Sequence, residues 1–158
     1  MKKDKEQIRR QLSLSLKSYT TIKDFDFYSD QNFYLNHTNV TLDNNELEVV
    51  LITLNENDKI LISTSRLHFI SKTKVDCLLI HKIDNFGFLR VLETLSNEAT
   101  KQLSSLSECK NWLTSGIFRI YKKDTSFIDV NIPNSNIGFG LAQAIKKLQF
   151  LTGKYEAT

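Results

Sequence analysis

The sequence predicts a single α+β domain in which a curled, partly open antiparallel sheet of about seven strands is capped by one C-terminal helix. Three observations carry this expectation. Short apolar, β-branched runs separated by turn residues recur from Leu47 to Ile132. An amphipathic stripe, Leu141, Ala144, Ile145 and Leu148, follows the last of them. A chain of 158 residues with 41% hydrophobic and 25% charged content suits one packed core that needs no disulfide or metal staple.

The first element is a helix over Asp4 to Thr20, because Ile8, Leu12, Leu16 and Tyr19 fall on one stripe with Lys5, Arg9 and Arg10 elsewhere on the wheel. Phe25 to Asn45 has no clean period; it is a connector with room for a short strand near Tyr34 to Leu42. Leu47 to Leu54 and the run from Lys59 form a hairpin around Asn55-Glu56-Asn57-Asp58. Lys59 to Ser63, Leu67 to Ser71 and Val75 to His81 are the next strands. Phe86 to Thr94 suits a strand, although Leu89, Leu92 and Leu95 also suit a helix.

A helical insert is expected over residues 96–115, where Ala99, Leu103, Leu106, Cys109 and Leu113 share a face. Ile117 to Lys123 and Ser126 to Ile132 then flank a turn at Asp124-Thr125, with Ile128, Val130 and Ile132 alternating against Asp129 and Asn131. Pro133 stops that strand. The closing helix runs from Gly138 to Leu151. Its outer face carries Lys146 and Lys147 together with Phe139 and Phe150, two aromatics that a solvated face rarely displays. They are expected to be covered, either by the N-terminal helix through Ile8, Leu12 and Leu16 or by a partner protein.

Charge is distributed unevenly. Residues Met1 to Lys23 hold seven Lys/Arg against Asp4 and Glu6, a local +5 within a chain total of +3. The remainder is therefore slightly acidic, and without a dense basic face no nucleic-acid partner is expected. No apolar run is long enough to span a bilayer and no secretory signal is evident, so a cytoplasmic location is expected. Cys77 and Cys109 are too few for a disulfide framework.

Catalytic motifs are missing from the text. His37, His68 and His81 lie far apart without an i, i+4 pair, so no metal ligand set is expected. His68, sharing a strand face with Arg66, is expected at a partly exposed polar edge. Gly138-Phe139-Gly140 lacks the lysine and third glycine of a phosphate loop, and no Gly-x-Ser-x-Gly elbow occurs. The expectation is a non-enzyme without cofactor.

About seven strands from Leu47, followed by one helix, is an order that resembles the pleckstrin-homology superfold with its GRAM and bacterial variants. The text Leu61-Ile62-Ser63-Thr64-Ser65-Arg66-Leu67-His68-Phe69 resembles the family's apolar strand, Thr-containing turn and Arg-Leu-x-Phe, and Leu79-Ile80-His81-Lys82-Ile83 is similar to the strand end that follows. The resemblance implies a seven-stranded, two-sheet barrel plugged by the helix over residues 46–158, with residues 1–45 as N-terminal helix and connector. It implies no particular ligand, because this superfold hosts lipid, peptide and structural roles.

In members that bind phosphoinositides, Lys and Arg converge from the first strands and their loop, but here that loop carries Glu56 and Asp58 with only Lys59 and Arg66 nearby. Lys72, Lys74, Lys122 and Lys123 complete a candidate anion patch. The favoured function is recognition of a protein or peptide partner by strand addition to a sheet edge, with Phe139 and Phe150 as candidate partner contacts. A peripheral membrane or inositol-phosphate binder is the alternative. An immunity or antitoxin-like inhibitor is a further one that composition does not separate from the first, and the oligomeric state is open.

Overall fold

A computed structural model of the chain describes residues 2–17, 24–28, 40–44, 46–88, 116–133 and 135–156. In chain order the elements are α1 (Lys2–Lys17), β1 (Phe25–Phe27), β2 (Glu48–Thr53), β3 (Lys59–Ser63), β4 (Arg66–Ile70), β5 (Val75–Leu79), β6 (Ile83–Phe88), β7 (Gly116–Lys122), β8 (Phe127–Ile132) and α2 (Ser135–Glu156). The expected helical insert at 96–115 lies outside the described residues, as do positions 34–39 of the connector.

The α+β class holds, with every strand pair antiparallel. Five strands form one sheet in the order β1-β2-β3-β4-β5, and three form a second in the order β6-β7-β8. Among the described residues no strand pairing joins the two, so they do not make a closed barrel. The cause is local. One turn of 3-10 helix, Ile80–Lys82, separates β5 from β6, so the chain leaves the first ladder and begins another.

Within the connector the strand is Phe25–Phe27, which adds to the outer edge of β2, while residues 40–42 are not strand. A three-residue strand has no period to read; it forms because β2 offers an unpaired edge. Strand β6 begins three residues earlier than expected and carries a register shift between Ile83 and Asn85. Helix α2 extends beyond 138–151 at both ends. Its glycines at 138 and 140 are buried within the helix despite their poor helix propensity.

A single main core joins both sheets and both helices. Ile8, Leu12 and Leu16 of α1 are fully buried, alongside Leu141, Ala144, Ile145, Leu148 and Leu151 of α2. Burying each α1 side chain contributes about 2 kcal/mol as an upper figure, so α1 is part of the domain and not a loose tail. Phe25 and Phe27 belong to the same core. Phe118 anchors the smaller sheet, with Phe88 edge-on at 5.4 Å and Phe86 stacked at 6.2 Å.

The larger sheet is covered on its second face too. Leu51 and Leu61 point away from the helices and pack with Tyr28, flanked by Val40 and Ile70. This explains why β2 and β3 each bury four consecutive residues, Val49 to Ile52 and Ile60 to Ser63.

Candidate functional site

The segment that roofs this second face is pinned by one carboxylate. Glu46 sits just before β2 in a turn whose amide Glu46 N donates to the Asp43 carbonyl at 3.1 Å. From there its side chain reaches over β3 and β4. Arg66 donates from Nη2 to Oε1 at 2.5 Å and from Nε to Oε2 at 3.0 Å, a bidentate grip. His68 Nε2 lies 3.0 Å from Oε2, the Ser63 hydroxyl donates to the same oxygen, and the Asp43 amide donates to Oε1 at 3.0 Å.

His68 is therefore not at an exposed edge. Its side chain is 2% exposed and that of Glu46 1%, because residues 40–44, 46 and 47 lie over the face that alternation alone would leave wet. Burial by itself pushes the Glu46 carboxyl up. The hydrogen bonds from His68, Arg66 and Ser63, with that of the Asp43 amide, outweigh it and hold the carboxyl far below the usual carboxylate range.

Serine, histidine and glutamate meeting in one place call for comparison with a hydrolytic triad. In a triad the imidazole stands between hydroxyl and acid, taking the hydroxyl proton while the acid orients it. Here the carboxylate stands between the other two, and Ser63 accepts from the Arg66 amide at 3.0 Å while bonding Glu46. Among the described residues the His68 imidazole is bonded to Glu46 and not to a hydroxyl. The arrangement is a clasp, tightened by reciprocal bonds between Leu47 and Thr64: the Thr64 amide donates to the Leu47 carbonyl at 2.9 Å and the Leu47 amide to Thr64 Oγ1 at 3.1 Å. Sequence reasoning missed it. The available signal was Arg66 and His68 two apart on one strand face, but their acid partner lies 20 and 22 residues away.

The cations expected to gather as an anion patch line separate clefts. Lys59 and Lys74 border a groove of about 310 Å³ together with Asp58, Asp76 and Asp129, and Lys74 pairs with Asp76 at 3.3 Å. Lys122 borders a cleft of about 330 Å³ with Lys82, Asp43, Asp124 and the Arg66 already gripped by Glu46. Lys123 faces a third cleft, of about 440 Å³, beside Ser65, His81 and Gln149. Lys72 is exposed in the β4–β5 turn and lines none of these. Among the described residues no group of three His, Cys, Asp or Glu side chains could hold a metal ion.

The groove beside Lys59 is lined by apolar Leu54, Ile60 and Phe69 beside Ile128 and Val130 of β8. Strand β8 is the outer strand of the smaller sheet, and its register with β7 runs unbroken from Gly116↔Ile132 to Tyr121↔Phe127. The Lys122 amide donates to the Ser126 carbonyl at 2.8 Å, which makes that pair hydrogen-bonded. Bonded pairs alternate in an antiparallel ladder, so the backbone groups of Phe127, Asp129 and Asn131 point away from β7, toward an edge with which no strand pairs among the described residues.

Other edges are protected in the ways natural sheets use. Strand β1 is three residues long, β5 carries Asp76 paired with Lys74, and β6 is bulged, with Gln149 Nε2 donating to the Ile83 carbonyl at 3.5 Å. Next to β8, on the outward face, Arg119 is held by Asp129 at 2.7 and 2.9 Å and lies 3.8 Å from the centre of the Phe127 ring. Phe127 is 49% exposed.

Phe139 and Phe150 are not covered by α1. That helix docks on α2 through Ile8, Leu12 and Leu16, on the side carrying the inner stripe, and leaves Phe139 42% and Phe150 60% exposed. Compared with family models, curated proteins and solved structures, the chain gives no significant match.

Proposed function

We propose that this chain is a non-catalytic binding domain of pleckstrin-homology-like build that takes an extended segment of a partner protein as a further strand on β8. The build is supported by seven antiparallel strands among the described residues, β2 to β8, split four and three by the 3-10 turn and followed by a helix packed into the core. In this reading β1 and α1 are additions at one edge and over the helix.

The observation that carries the binding mode is the pairing of an unbroken outer strand with an apolar groove. An added strand would take main-chain hydrogen bonds from Phe127, Asp129 and Asn131. Its side chains on one face would enter the groove between Phe69 and Val130. The non-catalytic part rests on the clasp geometry, in which hydroxyl and imidazole both serve the same carboxylate.

Selection of a displayed random-peptide library on the wild-type chain, with counter-selection on Asn131→Pro, tests the proposal. Proline at 131 removes an amide directed to the open edge and leaves the β7 ladder intact. Recovered peptides are expected to alternate apolar and polar residues, to protect the Asp129 and Asn131 amides from exchange, and to lose binding to the variant. Peptides that bind both proteins equally overturn it.

A further inference from the structure

We propose that the helical layer, α1 with α2, is the face by which this protein lies on an anionic lipid surface. Formal charge is the first argument. In sequence, α1 holds six Lys/Arg against Asp4 and Glu6, and α2 holds three lysines against Glu156, so the two helices together carry +6. The whole chain carries +3, which leaves −3 for everything else. The molecule is electrically polarised, with its helices attracted to a negative surface and its sheets repelled by one.

Exposed apolar side chains on the same layer are the second argument. Phe139 and Phe150 are eleven positions apart, which returns them to one stripe of α2 about 16 Å long. Exposed Lys146 lies between them, and Lys147 Nζ stands 5.4 Å from the Phe150 ring centre. On α1, Leu14 is 60% exposed and shares its outward stripe with Arg10 and Lys17. Aromatic and aliphatic groups flanked by lysines are what the boundary between headgroups and acyl chains receives.

Neither helix is long and apolar enough to cross a membrane, so the contact is one of lying on the surface. Leu14, Phe139 and Phe150 line none of the clefts described above and are exposed on the helices. A lipid layer accepts protruding side chains without matched pockets, whereas a rigid protein surface must supply them. Nucleic acid would answer the charge but would not bury two phenylalanines.

Sedimentation of the full chain with phosphatidylserine/phosphatidylcholine vesicles, against vesicles of phosphatidylcholine alone, tests the proposal. Binding is expected only to the anionic vesicles and is expected to fall as salt rises. The double variant Lys146→Gln/Lys147→Gln is expected to bind about thirtyfold more weakly, at about fivefold per lysine. Phe139→Ser/Phe150→Ser is expected to bind more weakly at a temperature where thermal melting shows it fully folded, because both side chains are exposed. Asn131→Pro is expected to sediment like wild type, which separates this proposal from the β8 reading. Equal binding to both vesicle types, no sedimentation with anionic vesicles, or wild-type affinity in either double variant overturns it.

Discussion

Glu46 grips Arg66 with both carboxylate oxygens, and this one pair decides what lies over the second face of the larger sheet. Arg66 also donates to the Thr41 carbonyl at 3.1 Å, so the guanidinium ties both ends of the roofing segment to β4. The polar clasp closes over an apolar cluster of Tyr28, Leu51 and Leu61 that would otherwise face water.

Removing the acid should therefore cost more than a surface pair would. Glu46→Ala leaves Arg66 without this counter-charge and His68 without its hydrogen-bond partner, and the expected loss is about 3–5 kcal/mol. Urea denaturation of the variant against wild type measures it. A loss below about 1 kcal/mol would mean the clasp behaves as an exposed ion pair.

The same carboxylate makes stability pH-dependent in a definite direction. Its pKa in the fold lies below its ordinary value of 4.5, so the stabilisation is fully present above that value and is lost as pH falls through the acid range. The stability gap between wild type and Glu46→Gln should narrow steadily on acidification below about pH 5. Denaturation midpoints recorded across that range give the gap directly; a constant gap refutes the assignment.

Tyr28 imposes the opposite limit in alkali. Burial, then the charges of Glu48 and Asp26, push its phenol from 10.0 up to about 12. The folded state thus holds a proton that the unfolded chain has released, and stability should fall as pH rises between those two values. Tyrosinate absorbance should show one of the five tyrosines ionising late, and Tyr28→Phe should remove that late step.

Thr125 sits at the third position of the β7–β8 turn with φ of 74°, in the left-handed region. The Thr125 amide donates to the Lys122 carbonyl at 3.1 Å, the pattern of a three-residue hairpin that favours glycine at this point. A β-branched residue there is strained, so Thr125→Gly is expected to stabilise the protein by about 1 kcal/mol. Thermal melting checks the sign.

Packing of α1 is tested by Leu12→Ala. Leu12 is fully buried against α2 and the sheet, and the truncation should cost about 2–5 kcal/mol. If the melting temperature is unchanged, α1 does not belong to the core.

Which elements form was legible in the residues themselves. β-Branched runs marked β2 to β5, alternation of Ile128, Val130 and Ile132 marked β8, and the stripe from Leu141 to Leu148 marked α2, because local periodicity reflects which side of an element meets apolar neighbours. The amphipathic spacing of Ile8, Leu12 and Leu16 likewise announced a helix with one apolar face, though not what that face meets. Tertiary structure alone decided the rest: that Phe25–Phe27 pairs with β2, that β8 keeps an unbroken outer edge, that Phe139 and Phe150 stay exposed, and that Glu46 meets Arg66 and His68. Those relations join residues far apart along the chain or depend on which strand pairs with which edge. A pattern of successive side chains carries no information about either until the backbone has brought the partners within a few ångströms.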